Sequence, residues 1–193
     1  RSMCATSGGG FALMSEGLGL SAQAEIPVVV IDCQRAGPST GVPTKTEQGD
    51  LWQMLGAAFG DYPRVIAAPL DIADCFKLMP EIFNLVDRFQ CPGIVLCDLL
   101  LAEGRLSVDP KELDFNPTID RGELITSNGT GDHAPYQRYK ITESGVSPRV
   151  IPGVPGHTHV VSSDEHDEDG VLISDEYTNA GKRRAMMEKR MRK

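Results

Sequence analysis

The chain lacks any long apolar run. None of its hydrophobic stretches approaches the roughly 20 residues that a membrane-spanning helix requires, so the sequence predicts a protein that does not cross a membrane. Arg1 to Ser7 also lack the apolar segment of a secretion signal. The sequence does not begin with Met, and we expect Arg1 to be an interior point of a longer subunit.

Cysteine is scarce, and its spacing is irregular. No C-x-x-C pair occurs, and iron–sulfur and zinc sites need closely spaced thiolates, so we expect no such site within this chain. Each cysteine lies in or beside an apolar segment, which predicts buried free thiols in a reducing cytoplasm. The five are Cys4, Cys33, Cys75, Cys91 and Cys97.

Positive charge is sparse outside the C-terminal end. The net charge is −8, but seven basic residues and one acid between Lys182 and Lys193 make that end +6 and leave −14 on the rest. An acidic body argues against nucleic acid as a partner, because binding phosphates requires a basic surface. We interpret "GKRRAMMEKRMRK" as a solvated helix whose Met186, Met187 and Met191 form a packing stripe; the alternative is an RNA-binding tail.

The hydrophobic pattern of the first hundred residues alternates between helix and strand. Asp71 and Thr46 are the predicted N-caps of two of the helices. Such a series predicts an α/β fold, with an open, mostly parallel sheet and helices on both faces. The predicted elements are a helix over 10–24, a strand over 28–32, a helix over 46–60, a strand over 64–69, a helix over 70–90 and a strand over 91–101.

Regular patterning is weak after residue 101. Only short β-like pieces, "YKIT" and "THVV", occur before about residue 175. A long irregular stretch is unusual in a compact domain unless it is functional or lies against a partner. We therefore expect an α/β domain over 1–101, an irregular extension packed on a partner over 102–177, and a basic helix or linker over 178–193.

An unusual loop follows the strand "VVVID". Residues 34–50, "QRAGPSTGVPTKTEQGD", combine one arginine, Arg35, with prolines, glycines and hydroxyl residues. Ligands of parallel α/β sheets bind outside the carboxyl ends of the strands, where this loop must lie. A guanidinium can bind a carboxylate or a phosphate through two parallel hydrogen bonds. The loop therefore predicts a site for an anionic oxygen ligand.

Two further segments are weaker candidates. In "ATSGGGF" (Ala5 to Phe11), glycines before a helix could bring backbone N–H groups close to a phosphate or a cofactor ring, although such helix starts are common. His157 and His159 in "GHTHVV" could suggest a metal site. Alternate residues of a strand point to opposite faces, however, so we expect no metal there.

The segment "TSGGGFALMSEGLGLSAQAEIPVVVIDCQRAGPSTGVPTKTEQGDL" resembles the alpha subunit of 2-oxoacid:ferredoxin oxidoreductases, and the 2-oxoglutarate (KorA-like) branch in particular. The family pattern is similar to T-S-G-P-G, then E-I-P, then Q-R-G-G-P-S-T-G-x-P-T-K-T-E-Q. This chain departs from it at Gly9 and Ala36, where the family has Pro and Gly. The later "SPRVIPGVPGHTHVVSSDEHDEDG" and "RRAMMEKRMRK" are also similar, so the resemblance covers almost the whole chain.

The resemblance implies an activity and a site. Family members decarboxylate a 2-oxoacid on thiamine diphosphate, pass electrons through an iron–sulfur cluster to ferredoxin, and release an acyl-CoA. By resemblance, Arg35 and Thr44 bind the 2-oxoacid, and Thr6, Ser7 and Gly8 line the pyrimidine side of the cofactor. It implies no catalytic residue within this segment and no metal ligand.

The resemblance also implies partners and missing parts. The chain would be part of the pyrimidine-binding domain, truncated at both ends, and inactive alone. A beta subunit would hold the diphosphate, its Mg²⁺ and a 4Fe–4S cluster. The Tyr-Pro-Ile-Thr-Pro motif of the family and its activating glutamate would precede Arg1, and a transketolase-C-like domain would follow residue 193.

Two alternatives stay open at this point. The chain could be a non-catalytic fragment or degenerate paralogue that keeps the arginine and the glycines only as parts of its fold. It could also be a nucleotide- or CoA-binding α/β domain that uses Arg35 and the glycines to bind phosphate.

Overall fold

The computed structural model describes residues 1–56, 58–127, 135–172 and 179–193. The chain divides into two compact units, Arg1–Asp120 and Arg121–Lys193. Among the described residues, no helix is both long enough and apolar enough to cross a membrane.

The first unit is built on a four-stranded parallel sheet. Its strands are β1 (Met3–Thr6), β2 (Val28–Gln34), β3 (Val65–Ala67) and β4 (Pro92–Asp98), in the order β1-β2-β4-β3. Every neighbouring pair is parallel. Asp32 of β2 lies in register with Thr6 on one side and with Leu96 on the other. The predicted parallel α/β fold is confirmed.

Helices cover both faces of this sheet. They are α1 (Gly8–Ala12), α2 (Ser15–Gln23), α3 (Leu51–Gly56), α4 (Ile72–Phe89) and α5 (Leu99–Glu103), followed by a 3₁₀ turn at Pro110–Glu112. On one face, side chains of α1, α2 and α3 pack on the sheet; on the other face, α4 packs on it. The first core comprises Phe11, Leu18, Val30, Met54, Ile94 and Leu96, and the second comprises Val29, Ile82, Val86 and Val95.

Helix α4 fits the sheet closely and begins as the sequence predicts. A Cβ at Gly93 of β4 would lie 2.5 Å from Val86 Cγ1, so only glycine allows this approach. The predicted N-cap is confirmed, because the Asp71 side chain accepts a hydrogen bond from the Asp74 N–H at 2.8 Å. This bond satisfies one of the free donors of the first turn.

Three predicted elements have the wrong extent. The helix predicted over 10–24 is two helices, α1 and α2, interrupted at 13–14. The helix predicted over 46–60 begins only at Leu51, so Thr46 is not its N-cap. The strand predicted over 91–101 ends at Asp98, whose carboxylate accepts a hydrogen bond from the Leu101 N–H at 2.9 Å and caps α5.

The second unit contains little regular structure among its described residues. Strands β5 (Leu124–Ile125) and β6 (Arg149–Val150) form a two-stranded parallel sheet, and α6 (Ala180–Met191) ends the chain. The β-like segments "YKIT" and "THVV" do not form strands, so that prediction was wrong.

The predicted methionine stripe on α6 is only partly correct. Met186 is buried, but Met191 is exposed, and the basic residues Lys189 and Arg190 are buried instead. Arg190 can be buried because its Nη2 donates to both carboxylate oxygens of Glu165, at 2.7 and 2.8 Å. A buried charge needs such a partner. The basic end of the chain therefore has a structural role in this unit.

Candidate functional site

The loop after β2 folds back on itself immediately beyond Arg35. The Val42 N–H donates to the Ala36 carbonyl at 2.9 Å, which closes a tight turn. Gly41 has φ +58°, and a Cβ there would lie 1.6 Å from the Ala36 oxygen. Only glycine can occupy this position, so the turn has a defined shape.

The second half of the loop is tied to the ends of two strands. Gln48 Nε2 donates to Asp98 Oδ2 at 2.7 Å, at the end of β4. The Asp50 N–H donates to Gln34 Oε1 at 3.1 Å, at the end of β2. The hydrogen bond from Gln48, followed by that from the Leu101 N–H, lowers the pKa of Asp98. These bonds explain why residues 46–50 are not helical, and they bring Asp50 back beside Arg35.

A pocket of about 280 Å³ lies at this carboxyl edge of the sheet. Its walls come from α1, from the loop after β2 and from the start of α3. Gln53 Nε2 donates to the Gly8 carbonyl at 3.1 Å, which joins α3 to α1. The "ATSGGGF" segment and the arginine loop were two separate candidates in the sequence. In the structure they contribute to the walls of one pocket. The lining includes Gly8, Gly9, Arg35, Pro38, Asp50 and Gln53.

Arg35 is the cation of this pocket. Its side chain is half-buried, and its Nη2 lies 3.8 Å from the position that a Cβ on Gly9 would take. Its buried Nε has no hydrogen-bond partner, and within the described part of the chain Arg35 forms no salt bridge. A guanidinium with unused donors on a pocket wall is suited to bind an anionic oxygen ligand.

An acidic pair lies beside the arginine. The Asp32 side chain is fully buried, its two carboxylate oxygens have no hydrogen-bond partner among the described residues, and the Asp50 carboxyl group is the nearby acid that affects its pKa. The pKa of Asp32 is raised to about 7. Burial is the largest cause, the adjacent Asp50 also raises the pKa, and the charge of Arg35 lowers it. Neither residue was predicted from the sequence. The available signal was an acid inside the otherwise apolar run "VVVID", where an unpaired charge is costly.

Of the residues predicted to line the cofactor, one reaches the pocket wall. Gly8 lines it, whereas Thr6 and Ser7 stand just before it, half-buried, at the end of β1 and the start of α1. The Ser7 side chain makes no capping hydrogen bond to α1. Gly8, Gly9 and Gly10 lie inside α1 and not before it, which corrects the expected arrangement.

The predicted substrate residue Thr44 does not line the pocket that contains Arg35. It is exposed in the turn that follows Val42. The structure thus brings together Arg35, Gly8 and Asp50 but not Thr44. The role of Thr44 stays a prediction.

His157 and His159 do not lie on a strand, contrary to the expectation. Both rings pack near the ring of Tyr136, with centroid distances of 5.2 and 5.4 Å. Their Nδ1 atoms lie 2.8 and 3.0 Å from the carbonyl oxygens of Pro155 and His157. Over the ranges that the structure describes, no group of three or more His, Cys, Asp or Glu side chains is arranged to hold a metal ion.

The cysteines are free, but only Cys91 is fully buried, so the prediction of buried thiols was largely wrong. Cys33 and Cys97 are in register on β2 and β4, and their sulfurs lie 3.2 Å apart. Burial and the neighbouring Cys33 thiol raise the pKa of Cys97 to about 12. Because successive side chains of a strand point to opposite faces, this pair lies on the α4 face, opposite to the Asp32 side chain.

Comparison with known proteins gives a consistent result over the whole chain. A family model described as pyruvate flavodoxin/ferredoxin oxidoreductase, thiamine diphosphate-binding, matches residues 1–189. The chain is 40% identical over 194 residues to 2-oxoacid:ferredoxin oxidoreductase 1, subunit alpha, of Sulfurisphaera tokodaii; the match covers 100% of the chain and 29% of that protein. It is 38% identical over 175 residues to 2-oxoglutarate oxidoreductase subunit KorA of Mycobacterium tuberculosis, covering 90% of the chain and 26% of that protein.

A solved structure is also similar. It is the 2-oxoglutarate:ferredoxin oxidoreductase from Magnetococcus marinus with 2-oxoglutarate, coenzyme A and succinyl-CoA bound. The TM-score is 0.84 at 36% identity, and the match covers 100% of this chain and 32% of that one. The chain therefore spans about a third or less of the length of the proteins that it matches.

Proposed function

Because the chain belongs to the thiamine diphosphate-binding family of pyruvate flavodoxin/ferredoxin oxidoreductases, we propose that it is part of the alpha subunit of a 2-oxoacid:ferredoxin oxidoreductase. The proposed reaction is the oxidative decarboxylation of a 2-oxoacid with CoA to an acyl-CoA, CO₂ and reduced ferredoxin. We propose 2-oxoglutarate as the substrate, since a relative at 38% identity and the similar solved structure are both named for it.

The observation that carries the proposal is the position of Arg35. It lies at the carboxyl edge of a parallel sheet, on the wall of a pocket, with its buried Nε unpartnered. A 2-oxoacid presents a carboxylate, which a guanidinium binds through two parallel hydrogen bonds. Such a contact fixes the orientation of the reacting carbonyl, and orientation is a major part of catalysis. In this proposal Thr44 contacts the substrate as well.

The pocket fits the proposed cofactor role. Its volume of about 280 Å³ is slightly below the roughly 300–1,000 Å³ of complete ligand sites, which suits a site completed by another subunit. Gly8 and Gly9 give it a wall without side chains, and a Cβ on Gly8 would come within 3.0 Å of Asp50 Oδ2. We propose that Thr6, Ser7 and Gly8 hold the pyrimidine side of thiamine diphosphate, with the Ser7 hydroxyl available because it does not cap α1. Bound thiamine diphosphate supplies the electron sink for decarboxylation.

Exposed apolar side chains flank the pocket, and they favour the proposal that a partner subunit covers it. Leu13 follows the pocket residue Ala12 and is 87% exposed; Trp52 precedes the pocket residue Gln53 and is 82% exposed. Phe59, beyond α3, is 74% exposed. Large exposed apolar groups beside a site are typical of surfaces that another protein covers. We propose that the beta subunit docks here and completes the site.

The remaining components belong to that partner or to solution. In this proposal the beta subunit holds the diphosphate, Mg²⁺ and a 4Fe–4S cluster, CoA is the acyl acceptor, and ferredoxin receives the electrons. We place the enzyme in the cytoplasm. The five free cysteines support a reducing compartment, where disulfides are rare.

The test is turnover of the full-length alpha subunit assembled with its partner. With 2-oxoglutarate, CoA and a viologen dye as electron acceptor, we expect Arg35→Ala to lower kcat/KM by about 30-fold or more. Removal of one partner of a charge-assisted contact costs about 2 kcal/mol at the low end, which corresponds to that factor. Much of the loss should appear as a higher KM, because the arginine binds the substrate already in the ground state.

A matched control is Arg105→Ala. Arg105 is an exposed arginine of the same unit and does not line the pocket, so its removal should leave kcat/KM unchanged. Equal kinetics for the Arg35→Ala variant and the wild type would remove the substrate role of Arg35. Absence of 2-oxoacid turnover in the assembled wild type, with tight binding of CoA alone, would instead favour the CoA-binding alternative.

A further inference from the structure

We propose that Asp32 and Asp50 share one proton beside Arg35, and that this proton keeps the pocket attractive to an anionic ligand. Asp32 and Asp50 are thus positioning residues for the charge of Arg35. The identification of the anion as a 2-oxoacid rests on the proposed function, whereas the shared proton does not.

Asp32 and Asp50 bury carboxylate oxygens that have no hydrogen-bond partner within the described ranges. Asp32 is 0% exposed, and neither of its carboxylate oxygens receives a hydrogen bond from an N–H or O–H group in the described part of the chain. The buried Oδ2 of Asp50 likewise has no hydrogen-bond partner in that part. An ionised carboxylate without donors or a counter-charge in contact costs several kcal/mol to bury. Two adjacent ones would not both stay ionised.

A single proton on the pair removes this energetic cost. The Asp50 carboxyl group lies close enough to Asp32 to raise its pKa, and buried oxygens of both groups have no donor among the residues that the structure describes. A proton on one of the two supplies the O–H donor that the other lacks, and it removes one of two like charges. The direction of the pKa shift of Asp32 agrees, because burial and then Asp50 raise it to about 7. The proton belongs to the pair and not to one residue.

The proton also decides the charge that an incoming anion meets in the pocket. With the proton, the pair carries −1 and Arg35 carries +1, so the three groups together are neutral. Without it, the three groups carry −1, and an incoming carboxylate meets net repulsion. Asp50 and Arg35 both line the pocket, so the change in charge occurs at the ligand wall.

Other titratable groups near Asp32 do not offset this change. Among described residues, α1 and α3 carry no titratable side chain. On β1 the exposed Cys4 thiol lies 4.0 Å from the Met14 sulfur. On β4 the Cys97 thiol interacts with the charge of Asp32, but its pKa of about 12 keeps it neutral near pH 7. Glu16 of α2 is exposed, and Asp98 at the end of β4, whose pKa is lowered, stays ionised between pH 6 and pH 8. The change in charge of the site over this pH range is therefore set by Asp32 and Asp50.

The consequence is a pH-dependent affinity for anions. The ligand binds the protonated pair, so affinity is nearly full at about pH 6 and falls as pH rises through the pKa of about 7 of Asp32. If the deprotonated pair binds poorly, the apparent dissociation constant rises by about tenfold between pH 6 and pH 8.

The experiment uses the full-length subunit assembled with its partner. Binding of 2-oxoglutarate without CoA is measured by calorimetry from pH 6 to pH 8 for the wild type, Asp32→Asn and Asp50→Asn. Asparagine is isosteric with aspartate and always neutral, so it mimics the protonated state. We expect each variant to bind at pH 8 about tenfold more tightly than the wild type and to lose the pH dependence, while matching the wild type at pH 6.

The control variant is Asp61→Asn, an exposed aspartate of the same unit, which should keep the pH profile of the wild type. A purely structural role for Asp32 would weaken binding at every pH without flattening the profile. Wild-type affinity that does not change between pH 6 and pH 8 would overturn the proposal. If Asp32→Asn does not fold, Asp50→Asn gives the same test from the pocket side.

A second measurement is independent of ligand and turnover. Infrared spectra of the subunit labelled with ¹³C at the aspartate carboxyl carbon should show a protonated-carboxyl band at pH 6 that fades toward pH 8. The band should be absent from both asparagine variants and present in Asp61→Asn. Absence of the band from the wild type refutes the shared proton. A band with the expected titration but no 2-oxoacid turnover refutes the proposed function alone.

Discussion

Burial of Asp32 makes the stability of the fold depend on pH in a direction that can be calculated. Its pKa is about 7 in the folded chain, against 3.8 for an unperturbed carboxyl group. Between these values the folded state binds one proton more than the unfolded state. The free energy of unfolding must therefore fall as pH rises from about 4 to about 7, and level off above pH 7.

The magnitude follows from the size of the shift. Each pKa unit is worth about 1.4 kcal/mol, and the interval from pH 5 to pH 7 covers two units of a full proton difference. Asp32 is fully buried, so solvent does not screen the effect. We expect the contribution of Asp32 to the free energy of unfolding to fall by about 2.5 kcal/mol between pH 5 and pH 8.

The assay is a comparison of two proteins, because other groups titrate as well. Asp98 and Asp167 have lowered pKa values, so they stabilise the fold above their unfolded pKa and this stability is lost on acidification. The difference between the wild type and Asp32→Asn cancels these terms. Urea unfolding is followed by circular dichroism at pH 5 and pH 8. The free energy of unfolding of Asp32→Asn minus that of the wild type should be about 2.5 kcal/mol more favourable to the variant at pH 8 than at pH 5.

One result would refute the reasoning directly. If the difference in unfolding free energy between the two proteins is the same at pH 5 and pH 8, Asp32 does not titrate between them. Asp61→Asn is the matched control and should follow the wild type at both pH values. A loss of stability in Asp32→Asn that is equal at both pH values would indicate only a packing role.

Two further predictions concern the surface and the thiols. Trp52→Asp should weaken association with the partner subunit by at least tenfold in analytical ultracentrifugation and leave the circular dichroism unchanged, because Trp52 is exposed here and would be buried in the assembly; unchanged association would place the interface elsewhere. Cys97, with a pKa of about 12, should react with iodoacetamide at pH 8 far more slowly than the exposed Cys4. Peptide mapping by mass spectrometry checks this, and equal labelling of the two thiols would contradict it.

The arginine of the site was predictable from local sequence because of a general property of parallel sheets. A residue that immediately follows a buried strand lies at the carboxyl edge, where ligands bind. Arg35 follows β2 and does lie there. The Asp71 cap was predictable for a similar reason, since its partner, Asp74, is three residues away. In both cases the decisive neighbours lie within a few residues.

The helix boundary at Thr46 was not predictable in the same way. A local capping preference favours Thr46, but the hydrogen bonds from Gln48 to Asp98 and from Asp50 to Gln34 hold this segment in a non-helical path. The partner in the first bond lies 50 residues away in sequence. Tertiary contacts of this kind outweigh the few tenths of a kcal/mol by which most residues differ in helix propensity.

Sequence alone was sufficient for the layered α/β architecture, for the family, and for the arginine that lines the pocket, because strand periodicity, strand ends and a distinctive loop are all local patterns. Only the tertiary structure decided that Asp50 returns to Asp32, that Gly8 shares a pocket with Arg35, and that Thr44 is not in the lining of that pocket. Residues distant along the chain meet only when strands pair and helices pack. The charge and protonation of the site depend on those meetings, since a pKa responds to burial and to neighbours within a few ångströms.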